Sequence, residues 1–216
     1  MATQKSPKLD KRLVTETALR LLNEVGLDGL TLRAIAKELN VQAPALYWHF
    51  KNKQALLDEM ATEMYRRMVA DVPVAAAATW QDRLLASSRG LRTALLGYRD
   101  GAKVFSGSRF TGTLHAVEME ATLRLFTQAG FTLPQAVRAT TTAYMYTLGF
   151  LTEEQGVQPL PGERREGYDV EERAARMREF PLAAAAGEQI FEGYEEGFEE
   201  GLRLVVAGIE ARYGIR

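Results

Sequence analysis

Between Ala45 and Phe50 the chain runs Leu46, Tyr47, Trp48, His49, and Lys51 and Lys53 follow at once. Leu46 and Phe50 stand four apart, the spacing of one buried helical pair. Tyr47, Trp48 and His49 cannot all turn inward with them. Exposed Tyr and His beside two lysines are groups that contact phosphate oxygens, and small Ala43 and Ala45 let a helix approach base edges closely. Arg33 adds a planar fork that suits guanine O6 and N7. Covalent chemistry is poorly provided for. The chain has no cysteine, which excludes a disulfide scaffold, a thiolate zinc site, an iron–sulfur cluster and a cysteine nucleophile. Its two histidines are His49 and His115, and no Ser-His-Asp or paired-carboxylate pattern accompanies them. His115 has no second ligand in view and reads as structural, so neither metal nor cofactor is expected, and no enzyme.

The elements that must position these groups are helices. With 216 residues, 46% hydrophobic and 25% charged, the chain has the composition of a folded globular protein large enough for a sizeable core. No run approaches the ~20 apolar residues of a membrane span. The start of the chain is basic and leads into an amphipathic segment, unlike the apolar core of a signal peptide, so a cytoplasmic location is expected. The net charge of −1 conceals a polarity: residues 1–53 carry nine Lys/Arg against five acids, +4, and the remainder is −5. A basic head on an acidic body suits a polyanionic partner. Leu13, Ala18, Leu21, Leu22 and Val25 mark a first helix stopped by Gly26, and Thr31 caps a second carrying Leu32, Ile35 and Leu39. Asn40 tolerates a left-handed turn, and Pro44 suits the first turn of a short third helix. Helix, helix, short turn, helix is helix-turn-helix geometry. Asn52 then caps a helix over 53–68.

The runs Leu30-Thr31-Leu32-Arg33-Ala34-Ile35-Ala36-Lys37-Glu38-Leu39-Asn40-Val41 and Ala45-Leu46-Tyr47-Trp48-His49-Phe50-Lys51-Asn52-Lys53 resemble the DNA-binding domain of the tetracycline repressor (TetR) family. The second run is closer to the tetracycline repressors themselves than to the wider family. The resemblance implies double-stranded DNA with a palindromic operator as partner. Arg33 is then the candidate for a guanine contact, with Gln42, Ala43 and Ala45 completing the base readout. Thr31, Tyr47, His49 and Lys53 are candidates for phosphate contacts, and Pro44 and Trp48 belong to the same DNA-binding surface.

From Thr79 onward helices follow with few interruptions: a helix starting near Thr79, a short segment over 102–108, and helices over 113–128 and 132–153. A loop over 154–167, a helix from about 169 to 180 and a last helix over 187–213 complete the pattern. The expected fold is all-α, with a helix-turn-helix domain over 1–53 and a ligand-binding and dimerisation domain over 54–216. Trp80-Gln81-Asp82, Arg99-Asp100-Gly101-Ala102-Lys103-Val104 and Gly130-Phe131-Thr132-Leu133 look like the tetracycline repressors' own body. The likeness covers about residues 9–155, with one residue inserted between Thr111 and Leu123. In that family the drug arrives as a magnesium chelate. The metal-binding histidine falls on Phe105, whose ring has no lone pair for a hard cation. The residues that hold the drug's polar ring fall on Val69 and Ser87, and a pocket glutamine falls near Thr122. Ser108, Arg109 and Glu153 keep polar groups. With Leu91, Phe110, Tyr144 and Met145, the candidates describe a more apolar site for a polycyclic inducer in which Arg109 and Glu153 set orientation.

Phe191, Tyr194, Phe198, Leu202, Val205 and Ile209 form an apolar stripe on the last helix, beside Gly193, Gly197 and Gly201 at four-residue steps. The stripe either packs inside one subunit or, as the resemblance implies, pairs two subunits through a four-helix bundle. The expected function is a ligand-responsive repressor acting as a homodimer, with an inducer other than magnesium–tetracycline. The alternatives are a true tetracycline sensor, a ligand-sequestering protein without operator function, an enzyme on a borrowed scaffold, and an activator.

Overall fold

The computed structural model describes residues 9–71 and 77–215, so most of the basic N-terminal stretch lies outside the described residues. The helices are α1 (Lys11–Gly29), α2 (Leu32–Glu38), α3 (Ala43–Tyr47), α4 (Lys53–Asp71), α5 (Trp80–Leu96), α6 (Gly101–Phe105), α7 (Leu114–Gln128), α8 (Leu133–Val157), α9 (Val170–Arg176), α10 (Pro181–Phe191) and α11 (Tyr194–Tyr213). No strand occurs among the described residues, and none of their helices is long and apolar enough to cross a membrane.

Local chemistry sets most of the helix starts. Asp10, Thr31, Asn52, Thr79 and Asp169 each accept a backbone N–H with a side-chain oxygen, relieving donors that the first turn leaves unpaired. Thr132 and Gln135 form a reciprocal capping box with Pro134 in the first turn of α8. Asn40 takes φ 53° in the turn between α2 and α3, as the helix-turn-helix reading requires. Gly26 takes φ 70° and breaks α1 without ending it; helical residues resume to Gly29.

Two clusters of buried side chains make the core. The first joins α1 to α4 with Leu91, Leu95, Val104, Phe105 and Leu151, so the head and the near part of the body share one apolar interior. The second gathers Trp80 and Leu84 of α5, Phe126 of α7, Phe131 of the turn before α8, Ala136, Ala139 and Ala143 of α8, and Phe198, Leu202 and Ile209 of α11.

Two expectations about the C-terminal half are corrected, and one alternative is decided for part of the last helix. The expected loop from residue 154 begins later, because α8 continues to Val157. Glu154 is buried against Arg92 at 2.8 Å, and Gln155 Nε2 donates to the carbonyls of Leu95 and Tyr98 while its Oε1 accepts from the Ala102 N–H. These partners lie on α5 and α6, out of reach of any local reading. The single last helix is two, α10 and α11, because Gly193 adopts φ 61° and caps α11 from outside the helix. The apolar stripe is intramolecular: Phe198, Leu202 and Ile209 are buried against α5 and α8 of the same chain. Of the three glycines, Gly201 has the clearest reason, since a Cβ there would overlap the Tyr146 hydroxyl, which donates to the Phe198 carbonyl at 2.9 Å. Leu204, on another face of α11, is 66% exposed.

Candidate functional site

The head presents α3 outward on a buried anchor. Leu46 and Phe50 are buried in the first cluster, which fixes the rotation of the short helix. That rotation leaves Trp48 89% exposed and Tyr47 55% exposed, although burying either ring would be favourable. Arg33, Gln42 and Pro44 are exposed on the same side, and Ala43, Ala45 and His49 are half-buried. Two residues expected at phosphates have structural work as well. Thr31 Oγ1 accepts the Ala34 N–H as the cap of α2, and Lys53 Nζ donates to the Leu27 carbonyl at 2.8 Å, tying α4 back to α1. A lysine keeps further donors, but this one is half-buried and held towards the protein.

The body encloses a cavity of about 310 Å³ among α4, α5, α6, α7 and α8. Its carbon walls are Met68, Leu84, Leu91, Phe105, Phe110, Met119, Leu123 and Phe126, with the Tyr144 ring. Phe105 and Phe110 meet edge to face at 5.3 Å, and Tyr65 lies 4.9 Å from Phe110. The polar atoms gather at one corner. Arg83, 8% exposed, donates from Nε to Thr122 Oγ1 at 2.9 Å and reaches Glu118 Oε2 from Nη2 at 3.3 Å. Burial, with a smaller push from Glu118 against a pull from Arg83, drives the Tyr65 phenol up to about 12, so it stays a protonated donor. Ser87 lines the cavity, and its hydroxyl donates to the Arg83 carbonyl within the helix.

Ser87, Leu91, Phe105, Phe110, Thr122 and Tyr144 are thus brought together around one cavity, whereas five expected members are not. Val69 gives way to Met68 and Tyr65, because a shift of one residue turns a side chain by about 100° around a helix. Met145 is 65% exposed on the outer side of α8. Ser108 donates to the Val104 carbonyl. Arg109 and Glu153 are exposed and do not supply the orienting groups. The charged and imidazole side chains that line the cavity are Arg83, Glu118 and His115. His115, Glu118 and Thr122 recur on one face of α7 at helical steps, a signal present in the sequence but indistinguishable there from a solvated face.

His115 was read as structural, yet its Nδ1 is buried at the cavity wall with no hydrogen-bond partner among the described residues. Such an atom costs about 1–3 kcal/mol. Replacing it with leucine is therefore expected to raise the melting temperature of ligand-free protein by about 2–4 °C for each kcal/mol relieved, measured by calorimetry; a lowered value would show that the imidazole is satisfied.

Above the cavity, the strap from α6 to α7 is tied to α4. The Arg109 N–H donates to Asp58 Oδ1 at 3.0 Å, the Thr111 N–H to Thr62 Oγ1 at 2.8 Å, and the Thr111 hydroxyl to Glu59 Oε2 at 2.8 Å. Phe105 and Phe110 face the cavity from this strap, and α4 starts directly behind the head.

Comparison with known proteins places these features. Residues 14–60 match the family model for bacterial regulatory proteins, tetR family, and residues 72–213 match that for the tetracyclin repressor-like, C-terminal domain. The chain is 41% identical over 206 residues to the tetracycline repressor protein class A from transposon 1721 of Escherichia coli, covering 95% of this chain and 92% of that one. A possible TetR family transcriptional regulator from Streptomyces coelicolor A3(2) superposes with a TM-score of 0.81 at 33% identity, over 94% of this chain and 99% of the other. A TetR variant from Acinetobacter baumannii AYE, solved in complex with minocycline, gives 0.70 at 35% identity over 94% and 98%.

Proposed function

The chain belongs to the TetR family of bacterial transcription regulators, and from that premise we propose that it is a homodimeric repressor released from a palindromic operator by a largely apolar polycyclic inducer. The observation that carries this reading is the strap. It walls the cavity with Phe105 and Phe110 and is hydrogen-bonded to α4, the helix that leads out of the head. A ligand that binds better when the strap is displaced shifts the population towards a different α4 position, and coupling of about 1–3 kcal/mol is the usual scale. Two copies of α3, each with Tyr47 and the Trp48–His49 turn that follows it, would lie in successive major grooves, with Arg33 at a guanine and Thr31 and Lys53 near phosphates. In this reading the DNA-binding head ends near Lys53, where α4 begins.

Relatives of this chain bind tetracyclines, and a magnesium chelate is the form the family resemblance implies. The residues here do not fit a magnesium ion. Phe105 contributes only ring carbon, the Glu118 carboxylate already has Arg83 as its counter-charge, and no group of three or more His, Asp or Glu converges among the described residues. Val69 and Ser87 likewise supply no free polar grip, since Ser87 is bonded within α5.

The test is binding of the full chain to DNA from upstream of its own gene, followed by fluorescence anisotropy. If the reading holds, affinity falls roughly a thousandfold between 50 and 200 mM salt, as expected for about six or more phosphate contacts. Metal-free polycyclic compounds should then release the DNA. Release that requires both tetracycline and magnesium would make the protein a divergent tetracycline sensor, and absence of DNA binding would leave a sequestering protein.

A further inference from the structure

The polar corner of the cavity holds unused hydrogen-bonding capacity of a particular kind. Arg83 commits Nε to Thr122 and Nη2 to Glu118 Oε2; among the described residues, Arg83 Nη1 and Glu118 Oε1 have no other partner. This donor and this acceptor belong to two hydrogen-bonded side chains that line a pocket otherwise walled by rings such as Phe105 and Phe110. His115 Nδ1, one helical turn from Glu118, adds a third polar atom that is buried and unmet. A buried polar group without a partner favours whatever ligand supplies one.

The pair is neutral as a unit. A carboxylate entering the corner would face Glu118 and an ammonium would face Arg83, each in a site of low dielectric where like charges repel strongly. Resting on the ligand-sensing reading above, we propose that the inducer is a neutral, flat polycyclic molecule with an amide- or imide-like edge. Its carbonyl oxygen accepts from Arg83 Nη1, its N–H donates to Glu118 Oε1, and its rings lie against Phe105 and Phe110. The ligand class is thus set by a paired donor and acceptor, and anionic ligands are rejected along with cationic ones.

Three probes of matched shape test this: 1,8-naphthalimide, N-methyl-1,8-naphthalimide, which lacks the donor, and 1-naphthoate, which is an anion. Fluorescence titration of the full wild-type chain should show the N–H imide binding about tenfold or more tighter than either of the others, the scale of one buried hydrogen bond lost. In the double variant Arg83→Met/Glu118→Leu, which lacks both the donor and the acceptor, the imide and its N-methyl derivative should bind within about twofold of each other. An apolar replacement of both partners of a buried pair is commonly tolerated. If circular dichroism shows that the variant does not fold, the wild-type ratio decides alone. Tightest binding by 1-naphthoate, an imide preference that survives in the folded double variant, or no binding by any probe overturns the proposal. Operator binding by the same wild-type preparation separates the two readings. If it persists while the probes fail, only the ligand class falls; if it is also absent, the sensor reading falls with it.

Discussion

Replacing Arg92 with leucine is expected to cost about 3–5 kcal/mol of folding stability, one of the largest single-residue effects in this chain. Arg92 on α5 is paired with Glu154 on α8 through two bonds, Nε to Oε2 at 3.0 Å and Nη2 to Oε1 at 2.8 Å. Both side chains are nearly inaccessible, 9% and 5% exposed. Glu195 at the start of α11 also bonds the guanidinium, which lies over the Phe198 ring at 5.1 Å. Burial works against the charge of Arg92, but the hydrogen bonds it donates to Glu154 and Glu195 outweigh it and hold the guanidinium pKa above its ordinary value. Leucine at 92 leaves Glu154 buried without a counter-charge, and the penalty comes from that stranded carboxylate more than from the lost attraction. The double replacement Arg92→Leu/Glu154→Leu should therefore recover most of the loss, because an apolar pair of similar volume is often as stable as the ion pair. Urea denaturation of the two variants and the wild type makes the comparison. A double variant as unstable as the single one would show that the pair itself, and not the orphaned charge, holds α5, α8 and α11 together.

Asp100→Ala should cost about 3 kcal/mol, combining a charge-assisted hydrogen bond of ~1.5–3 kcal/mol with a left-handed backbone penalty of ~1–2 kcal/mol. Asp100 sits at φ 56° before α6, a conformation that Asp and Asn tolerate far better than Ala. Its Oδ2 accepts the Leu27 N–H at 3.0 Å, just after the Gly26 break in α1, and its Oδ1 accepts from Lys103. Asn23 on α1 completes this tie, donating to the Gly97 carbonyl and accepting the Arg99 N–H. The head is thus fastened to the turn that opens α6, and the far end of α6 carries Phe105 in the cavity wall. Desolvation pushes the Asp100 carboxyl up, but the Leu27 N–H and Lys103 more than compensate and hold it below the usual carboxylate range. A carboxyl with a depressed folded pKa stabilises the fold above its unfolded pKa and loses that contribution as pH falls through the folded one. The stability gap between wild type and Asp100→Ala should therefore be full at neutral pH and narrow in acid. Asn at the same position keeps the backbone conformation and should lose less. Thermal unfolding against pH, with hydrogen exchange at the Leu27 amide, checks all three statements. A gap independent of pH would remove the charge from the account.

The head was legible because its signals are local. The Thr31 cap, the left-handed Asn40 and the buried Leu46–Phe50 pair each involve a few consecutive residues, and each leaves a residue type at a fixed offset. The same holds for the starts of α4, α5 and α8. Where local rules misled, a distant partner had intervened. Glu154 and Gln155 prolong α8 past the expected loop because Arg92, Leu95, Tyr98 and Ala102 receive their polar atoms.

The cavity was only half legible, and the reason is rotational. Apolar spacing tells which side of a helix is buried, but two helices can meet at many rotations about their axes, each step of one residue turning about 100°. That is why Met68 and not Val69 reaches the cavity, and why Met145 and Glu153 on α8 face outward while Tyr144 faces in. By itself the sequence determined an all-helical chain and a helix-turn-helix head with an outward aromatic face, and its family resemblance set Phe105 where the tetracycline repressors carry a histidine. The meeting of Arg83 on α5 with Glu118 and Thr122 on α7, and the turning of the Phe198–Leu202–Ile209 stripe into its own chain's core, were decided by tertiary packing alone. Contacts between residues some 35 to 130 positions apart, as also between Gln81 and Glu210, leave no trace in any local pattern.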